Sequence, residues 1–239
     1  MDSALKLKIL FVEDEADIRE TLTEILHLHD YQVLPVATAE AGLAELRREQ
    51  FDLLLSDYNL PEHSGSWLVE QAREQGLLEG TAAMIVTAHL APELPNDVAV
   101  MRKPLDVDRF LQRLAQLLEP AAAAKVRQAQ SELDLAARGD SGGAALRLTL
   151  YVSPDSPASL RAVRNLKALL EREPDLPIEL GICDITLHAS QAAADRISLT
   201  PTLVKKGPGP RAWIVGTLDD LQPVLDLLDV AGLAHARTG

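Results

Sequence analysis

Ile9-Leu10-Phe11-Val12-Glu13-Asp14 sets four apolar residues and two carboxylates side by side near the start of the chain. A short run that is apolar at every position suits a strand buried on both faces, and the carboxylates mark its end. Directly after it, Ile18, Leu22, Ile25 and Leu26 recur at helical spacing. The strand pattern returns at Gln32–Val36, Leu53–Ser56, Met84–Val86 and Val98–Met101, and the helical pattern at Ala39–Arg48, Ser66–Gln75 and Val107–Leu118. Alternation of this kind predicts an α/β domain: a doubly wound, five-stranded parallel sheet with helices on both faces.

In an open parallel sheet, function gathers at the carboxyl ends of the strands. Glu13 and Asp14 follow the first strand, Asp57 the third, Thr87 the fourth and Lys103 the fifth. Three carboxylates converging there repel one another unless a cation neutralises them. Magnesium suits such a site, because it takes hard oxygen ligands and keeps waters that a phosphate oxygen can replace. An Asp carboxylate can attack a phosphoryl group when a metal and a second cation offset the charge on the transferring oxygens. Lys103 supplies that cation, and the Thr87 hydroxyl can hydrogen-bond the phosphate once it is in place.

Val12-Glu13-Asp14-Glu15, Asp57 followed by Leu60-Pro61 and Gly65, Thr87-Ala88, and Lys103-Pro104 together resemble the receiver domain of bacterial response regulators across about residues 6–119. The resemblance implies that Asp57 is the phosphoacceptor and that Glu13 and Asp14 serve a Mg2+ site. It also implies that the Asn59 backbone carbonyl completes the coordination and that the Lys103–Pro104 bond is cis. Two features depart from the receiver pattern. Three positions before the lysine stands Val100, too small for the aromatic rotamer switch usual there. The stretch from Thr87 to Lys103 is short, and Pro92 and Pro95 leave little room for a full fourth helix.

Glu119-Pro120 is expected to end the last helix of this half, since proline cannot continue the incoming ladder. Ala121–Arg138 is alanine-rich and helical in pattern, with only a narrow stripe of Val126, Ala129, Leu133 and Ala136. A solvated connector suits that stripe better than a dimerising helix. Gly139-Asp140-Ser141-Gly142-Gly143 then reads as a flexible hinge. The division expected is a receiver domain over 1–119, a helical linker and Gly-rich hinge over 120–145, and a second domain over 146–239.

Beyond the hinge, Leu146–Val152 reads as a strand, and Ser156-Pro157 as an N-cap and first helical residue for a helix reaching about Glu173. Ile178, Leu180 and Ile182 alternate as a strand, Ala189–Arg196 is a weaker helix, Thr202–Lys205 and Trp213–Val215 are short strands, and Leu218–Leu228 closes with helical period. The order resembles a thioredoxin fold, with Pro201 just before a strand. Thiol enzymes of that fold need paired cysteines at the first helix start. Ser156-Pro157-Ala158-Ser159 stands there instead, and the single cysteine, Cys183, reads as a small buried side chain. Oxidoreductase activity is therefore rejected.

Leu148-Thr149-Leu150-Tyr151-Val152, Leu166-Lys167-Ala168-Leu169-Leu170, Asp184-Ile185, Thr200-Pro201-Thr202-Leu203-Val204-Lys205 and Ile214-Val215-Gly216-Thr217-Leu218 are similar to the KaiB family of circadian-clock proteins and to the related amino-terminal domain of the SasA sensor kinase. What that resemblance implies is binding rather than catalysis, with a KaiC-like ATPase as the partner. It also implies a choice between two topologies, of which the element order favours the thioredoxin-like one.

Composition narrows the remaining classes. The net charge of −13 is uneven: residues 1–119 carry 10 Lys+Arg against 22 Asp+Glu, and residues 120–239 carry 13 against 14. No basic helix or patch offers the positive footprint that nucleic acid requires. No apolar run reaches the roughly 18 residues of a membrane helix, and Met1-Asp2-Ser3-Ala4 does not open a secretion signal, so a cytoplasmic protein is expected. His27 and His29 lie two apart on a helix and make no metal pattern. The reading is a non-enzymatic response regulator, phosphorylated at Asp57 by a cognate histidine kinase or another phosphodonor, whose KaiB-like domain binds protein. The alternative is a constitutive adaptor in which the receiver fold serves only for docking or for forming a homodimer.

Overall fold

The computed structural model describes residues 5–89, 94–136, 145–153 and 156–231. They divide into two compact units, residues 6–121 and the residues from 122 onward together with Leu5. In the first unit β1 (Lys8–Val12), α1 (Ala16–Leu28), β2 (Gln32–Val36), α2 (Ala39–Arg48), β3 (Leu53–Asp57), α3 (Gly65–Glu74), β4 (Ala82–Thr87) and β5 (Ala99–Arg102) follow one another, and α4 (Val107–Ala136) begins there and runs on past residue 121. The five strands are parallel, in the order β2-β1-β3-β4-β5. All five positions of β3 and Ile9–Val12 of β1 are buried, which is why those runs do not alternate with polar residues. Pro35 is accommodated because β2 lies at the sheet edge.

The strand order turns back between β1 and β3, the place where open α/β sheets form crevices. Register pairs Val12 with Ser56 and Asp57 with Val86, so Glu13, Asp57 and Thr87 emerge together. The Thr38 hydroxyl accepts the Ala41 N–H and the Ser64 hydroxyl the Trp67 N–H, both at 3.2 Å, fixing the starts of α2 and α3. Leu43 and Leu46 of α2 and Leu68, Val69 and Ala72 of α3 pack on Leu10, Val12, Leu54 and Ile85 of the sheet. Between β4 and β5 the described residues form a turn, closed by the Val98 N–H on the Pro95 carbonyl at 3.1 Å, and no helix. Val98 thus belongs to that turn rather than to β5, while Pro92 lies outside the described residues.

In the second unit β6 (Leu146–Val152), α5 (Pro157–Arg172), β7 (Ile178–Asp184), α6 (Ala189–Ala194), β8 (Thr202–Gly207), β9 (Ala212–Val215) and α7 (Gln222–Val230) follow in turn. The sheet order is β7-β6-β8-β9, with β6 parallel to β7, antiparallel to β8, and β9 antiparallel to β8. This is the thioredoxin-like arrangement. Thr200–Pro201 is cis, as is Lys103–Pro104. Helix α6 ends earlier than its pattern suggests, where Arg196 takes a φ of 58°; α7 begins later, after Leu218 at a φ of 57°. Ser156 precedes α5 as expected, but its side chain makes no cap bond.

Helix α4 overturns the break expected at Glu119-Pro120, for it passes through Pro120 without ending. Proline removes an N–H and crowds the carbonyl four residues back. Burial outweighs that cost: Phe110, Leu114, Leu118, Ala122, Val126 and Ala129 recur three or four residues apart and are each at most 1% exposed. Residues 122–129 are accordingly no solvated connector, and Glu132 further along pairs with Lys167 of α5. The hinge expected at 139–143 and the side chains of Leu133 and Ala136 lie outside the described residues.

Gly65 opens α3 where a side chain cannot fit. A Cβ there would lie 2.2 Å from the Asp57 carbonyl oxygen and 2.9 Å from Ser56 Oγ. Gly65→Ala is expected to destabilise the first unit by ~1–3 kcal/mol through overpacking. The measurement is thermal unfolding followed by hydrogen exchange of β3; an unchanged transition would contradict the close approach.

Candidate functional site

The end of β1 delivers Glu13 and Asp14, the end of β3 delivers Asp57, and Lys103 follows β5. Glu13 is 1% exposed, Asp57 4% and Thr87 0%, while Asp14 is exposed. Lys103 Nζ donates to Asp57 Oδ2 at 2.9 Å and to Glu13 Oε2 at 3.3 Å. One carboxylate oxygen from each of Glu13, Asp14 and Asp57 falls within 4.8 Å of the others. Asp57 Oδ1 is buried and has no hydrogen-bond partner among the described residues. A buried carboxylate oxygen without a partner, on a residue grouped with two further carboxylates, is what a hard divalent cation requires, so the residues fit magnesium.

Neighbouring backbone holds these groups in place. Arg19 Nη1 of α1 donates to the carbonyls of Glu13 at 2.7 Å and Asp14 at 3.0 Å, fixing the acidic pair. The Tyr58 N–H bonds the Val86 carbonyl at 2.8 Å, and the Lys103 N–H bonds the Thr87 carbonyl at 2.9 Å. The Thr87 hydroxyl accepts the His89 N–H at 2.9 Å, which leaves its own proton available for an incoming acceptor. His89 Nε2 lies 3.1 Å from the side-chain oxygen of Asn59, two residues past Asp57. All the residues expected from the sequence therefore lie at or beside one sheet end, and Arg19 and His89 join them. No sequence pattern marked those two, because their contacts run through backbone atoms and across loops.

Charge in the pocket is finely balanced. Burial first, and then the charge of Asp57, push the Glu13 carboxyl above its ordinary range, with Lys103 opposing both. Burial alone would lower Lys103, but its hydrogen bond to Asp57 and the charges of Asp57 and Glu13 win and raise it. Lys103 stays an ammonium, the form that can meet phosphate oxygens. In the second unit Cys183 is buried and its thiol is raised by that burial, the opposite of a reactive thiolate.

A polar network in the second unit went unnoticed in the sequence. Asp195, 4% exposed, accepts from the Tyr151 hydroxyl and pairs with Lys206 and with Arg211, the last at 2.9 Å. The Trp213 indole N–H donates to the Asp195 carbonyl at 3.0 Å. These partners come from β6, β8, the β8–β9 turn and β9, so no local spacing could reveal them. The network ties the end of α6 to three strands.

The KaiB domain family matches residues 149–230, and the response regulator receiver domain family matches residues 9–115. The circadian clock oscillator protein KaiB of Gloeothece citriformis (strain PCC 7424) is 40% identical over 83 residues, covering 35% of this chain and 78% of that protein. The response regulator receiver protein Anae109_2439 of Anaeromyxobacter sp. (strain Fw109-5) is 34% identical over 110 residues, covering 44% of this chain and 45% of that protein's length. Among solved structures, the receiver domain of the hybrid histidine kinase CckA is 31% identical, covers 46% of this chain and 98% of its own, and aligns with a TM-score of 0.42.

The raised pKa of Glu13 sets the direction of a pH effect. Folding binds its proton more tightly than the unfolded chain does, so its contribution is present at acid pH and lost as pH rises through the folded pKa. At neutral pH the ionised Glu13 is a cost in the metal-free protein. Glu13→Gln is expected to raise the melting temperature of the first unit in divalent-free neutral buffer, a gain that vanishes on acidification below the ordinary carboxylate range. Magnesium should stabilise wild type more than the variant; equal magnesium shifts would count against Glu13 as part of the metal site.

Proposed function

The chain belongs to the KaiB family, with a response regulator receiver domain ahead of the KaiB domain, and from that premise we propose a two-component response regulator in which phosphorylation of Asp57 controls protein binding by the KaiB domain. The single observation that carries the reading is the pairing of Asp57 with Lys103 through one oxygen while the other stays buried and unpartnered. That arrangement leaves one oxygen for a metal and holds the carboxylate for attack.

Glu13, Asp14 and Asp57, with the Asn59 backbone carbonyl, would hold Mg2+, which supplies charge neutralisation for the phosphoryl oxygens. Asp57 attacks phosphorus as the bond to the donor atom, a histidine nitrogen of a cognate kinase or the acyl oxygen of a small phosphodonor, breaks. The electron pair of that bond leaves with the donor, and an acyl phosphate remains on Asp57. Lys103 follows the new charge onto the phosphoryl oxygens. The Thr87 hydroxyl donates to one of them, and through the Lys103 N–H on its carbonyl it draws β4 and β5 into the same event.

Neither domain family is a catalytic one, and the KaiB match supports a clock-protein type of interaction as the output. A KaiC-like ATPase is the partner we propose, on the strength of the resemblance. No described helix is long and apolar enough to cross a membrane, and a cytoplasmic location is part of the proposal. One observation favours the constitutive-adaptor alternative: Val100 is 44% exposed and no aromatic occupies its place, so the usual route from threonine to output is missing. The separation is direct, since an adaptor binds its partner equally with and without phosphodonor.

The test is intact-protein mass after incubation with acetyl phosphate and magnesium, on wild type and Asp57→Asn. The expected result is a magnesium-dependent phosphoryl adduct on wild type alone. No adduct on a folded wild-type protein, with a fluoride-based phosphate mimic also failing to bind, would transfer the account to the adaptor.

A further inference from the structure

Strand β9 is the edge of the second sheet, paired with β8 on one side only. Trp213 and Val215 project to the same face and are 45% and 59% exposed. Leu199, 66% exposed, has its carbonyl on the hydroxyl of Thr202, the residue paired with Val215, at 2.7 Å. The indole N–H is already taken by the Asp195 carbonyl, so the exposed part of Trp213 is apolar ring. Natural edge strands are guarded by charge, proline or a bulge. Between Ala212 and Val215 there is no such guard, whereas the opposite edge, β7, carries exposed Glu179.

Charge frames one end of this strip. Lys206 and Arg211 both pair with Asp195, and exposed Arg196 follows it in the chain. Two cations on one buried carboxylate, with exposed Arg196 next to it in the chain, leave a positive rim, and burial together with repulsion from Arg211 lowers the Lys206 pKa in keeping with it. An approaching carboxylate is attracted there and an ammonium repelled. The apolar ring, the unguarded backbone edge and the positive rim lie along a single strand.

We infer that β9 is a docking edge for an extended, acidic segment of a partner protein, which adds to the sheet as a further strand. Backbone hydrogen bonds along β9 supply affinity, and alternate apolar side chains of the segment cover Trp213, Val215 and Leu199. Its carboxylates meet Arg211 and Arg196. The inference rests on the reading of the KaiB domain as the protein-binding output, and it adds the surface and the chemistry of what binds.

The test is calorimetric titration of the full chain with a short synthetic peptide that carries valines at alternate positions to face Trp213 and Val215, threonines between them, and glutamates at the same-face positions of one end to face Arg211, beside its lysine counterpart. Trp213→Lys and Val215→Lys each place a guard charge on the edge; the second removes no hydrogen bond that the fold uses, and circular dichroism checks both. Wild type is expected to bind the glutamate peptide, with binding about tenfold or more weaker in each variant and for the lysine peptide. No binding, equal binding in the folded variants, or equal binding of the lysine peptide would overturn the inference. So would a wild-type dimer in sedimentation that Val215→Lys dissociates, which would give the edge to a second copy. Titrating a purified KaiC-like ATPase into the same proteins separates the two levels. ATPase binding that survives both variants sinks the edge and leaves the output reading standing, while peptide binding without ATPase binding does the reverse.

Discussion

Everything at the business end of the first domain depends on one ammonium group. Glu13, Asp14 and Asp57 bring three carboxylates to one sheet end, and Lys103 is the cation the chain itself places among them, bonded to Asp57 Oδ2 and Glu13 Oε2. Its single charge does not balance three, and Asp57 Oδ1 has no partner among the described residues. The pocket is thus built with a deficit of positive charge, the condition that a divalent cation would offset. The sheet serves this arrangement: the buried cores of β1 and β3 hold the acidic ends in register, and the Lys103 N–H on the Thr87 carbonyl keeps the cation level with them.

The second domain uses the same physics for another end. Asp195 is a buried carboxylate with more cations than it can neutralise, so there the surplus is positive and sits at the surface beside Trp213. One domain gathers carboxylates in a site short of positive charge. The other, without paired thiols and with Cys183 buried, offers an edge strand and a cationic rim suited to binding.

Much of this was legible in the residues, and what was not has physical reasons. Strands β1 and β3 announced themselves because a strand buried on both faces must be apolar throughout, and the site residues are the first polar ones after those runs. Helix α2 was readable to its ends because Thr38 caps it and Glu49 leaves it in extended conformation. Pro120 misled because a local rule about the missing N–H says nothing of Leu118 and Ala122, whose burial on either side carries α4 through. The Asp195 network was invisible because its partners lie 11 to 44 residues away. A folded sheet is needed to bring them together.

The central claim is that chemistry at Asp57 is felt in the KaiB domain. Hydrogen–deuterium exchange of the full chain, with and without a beryllium fluoride phosphate mimic and magnesium, tests it without needing to know the partner. The account predicts altered exchange in β8, β9 or α7 as well as around Asp57 and Thr87, and none of it in Asp57→Asn. Changes confined to the receiver domain would contradict it.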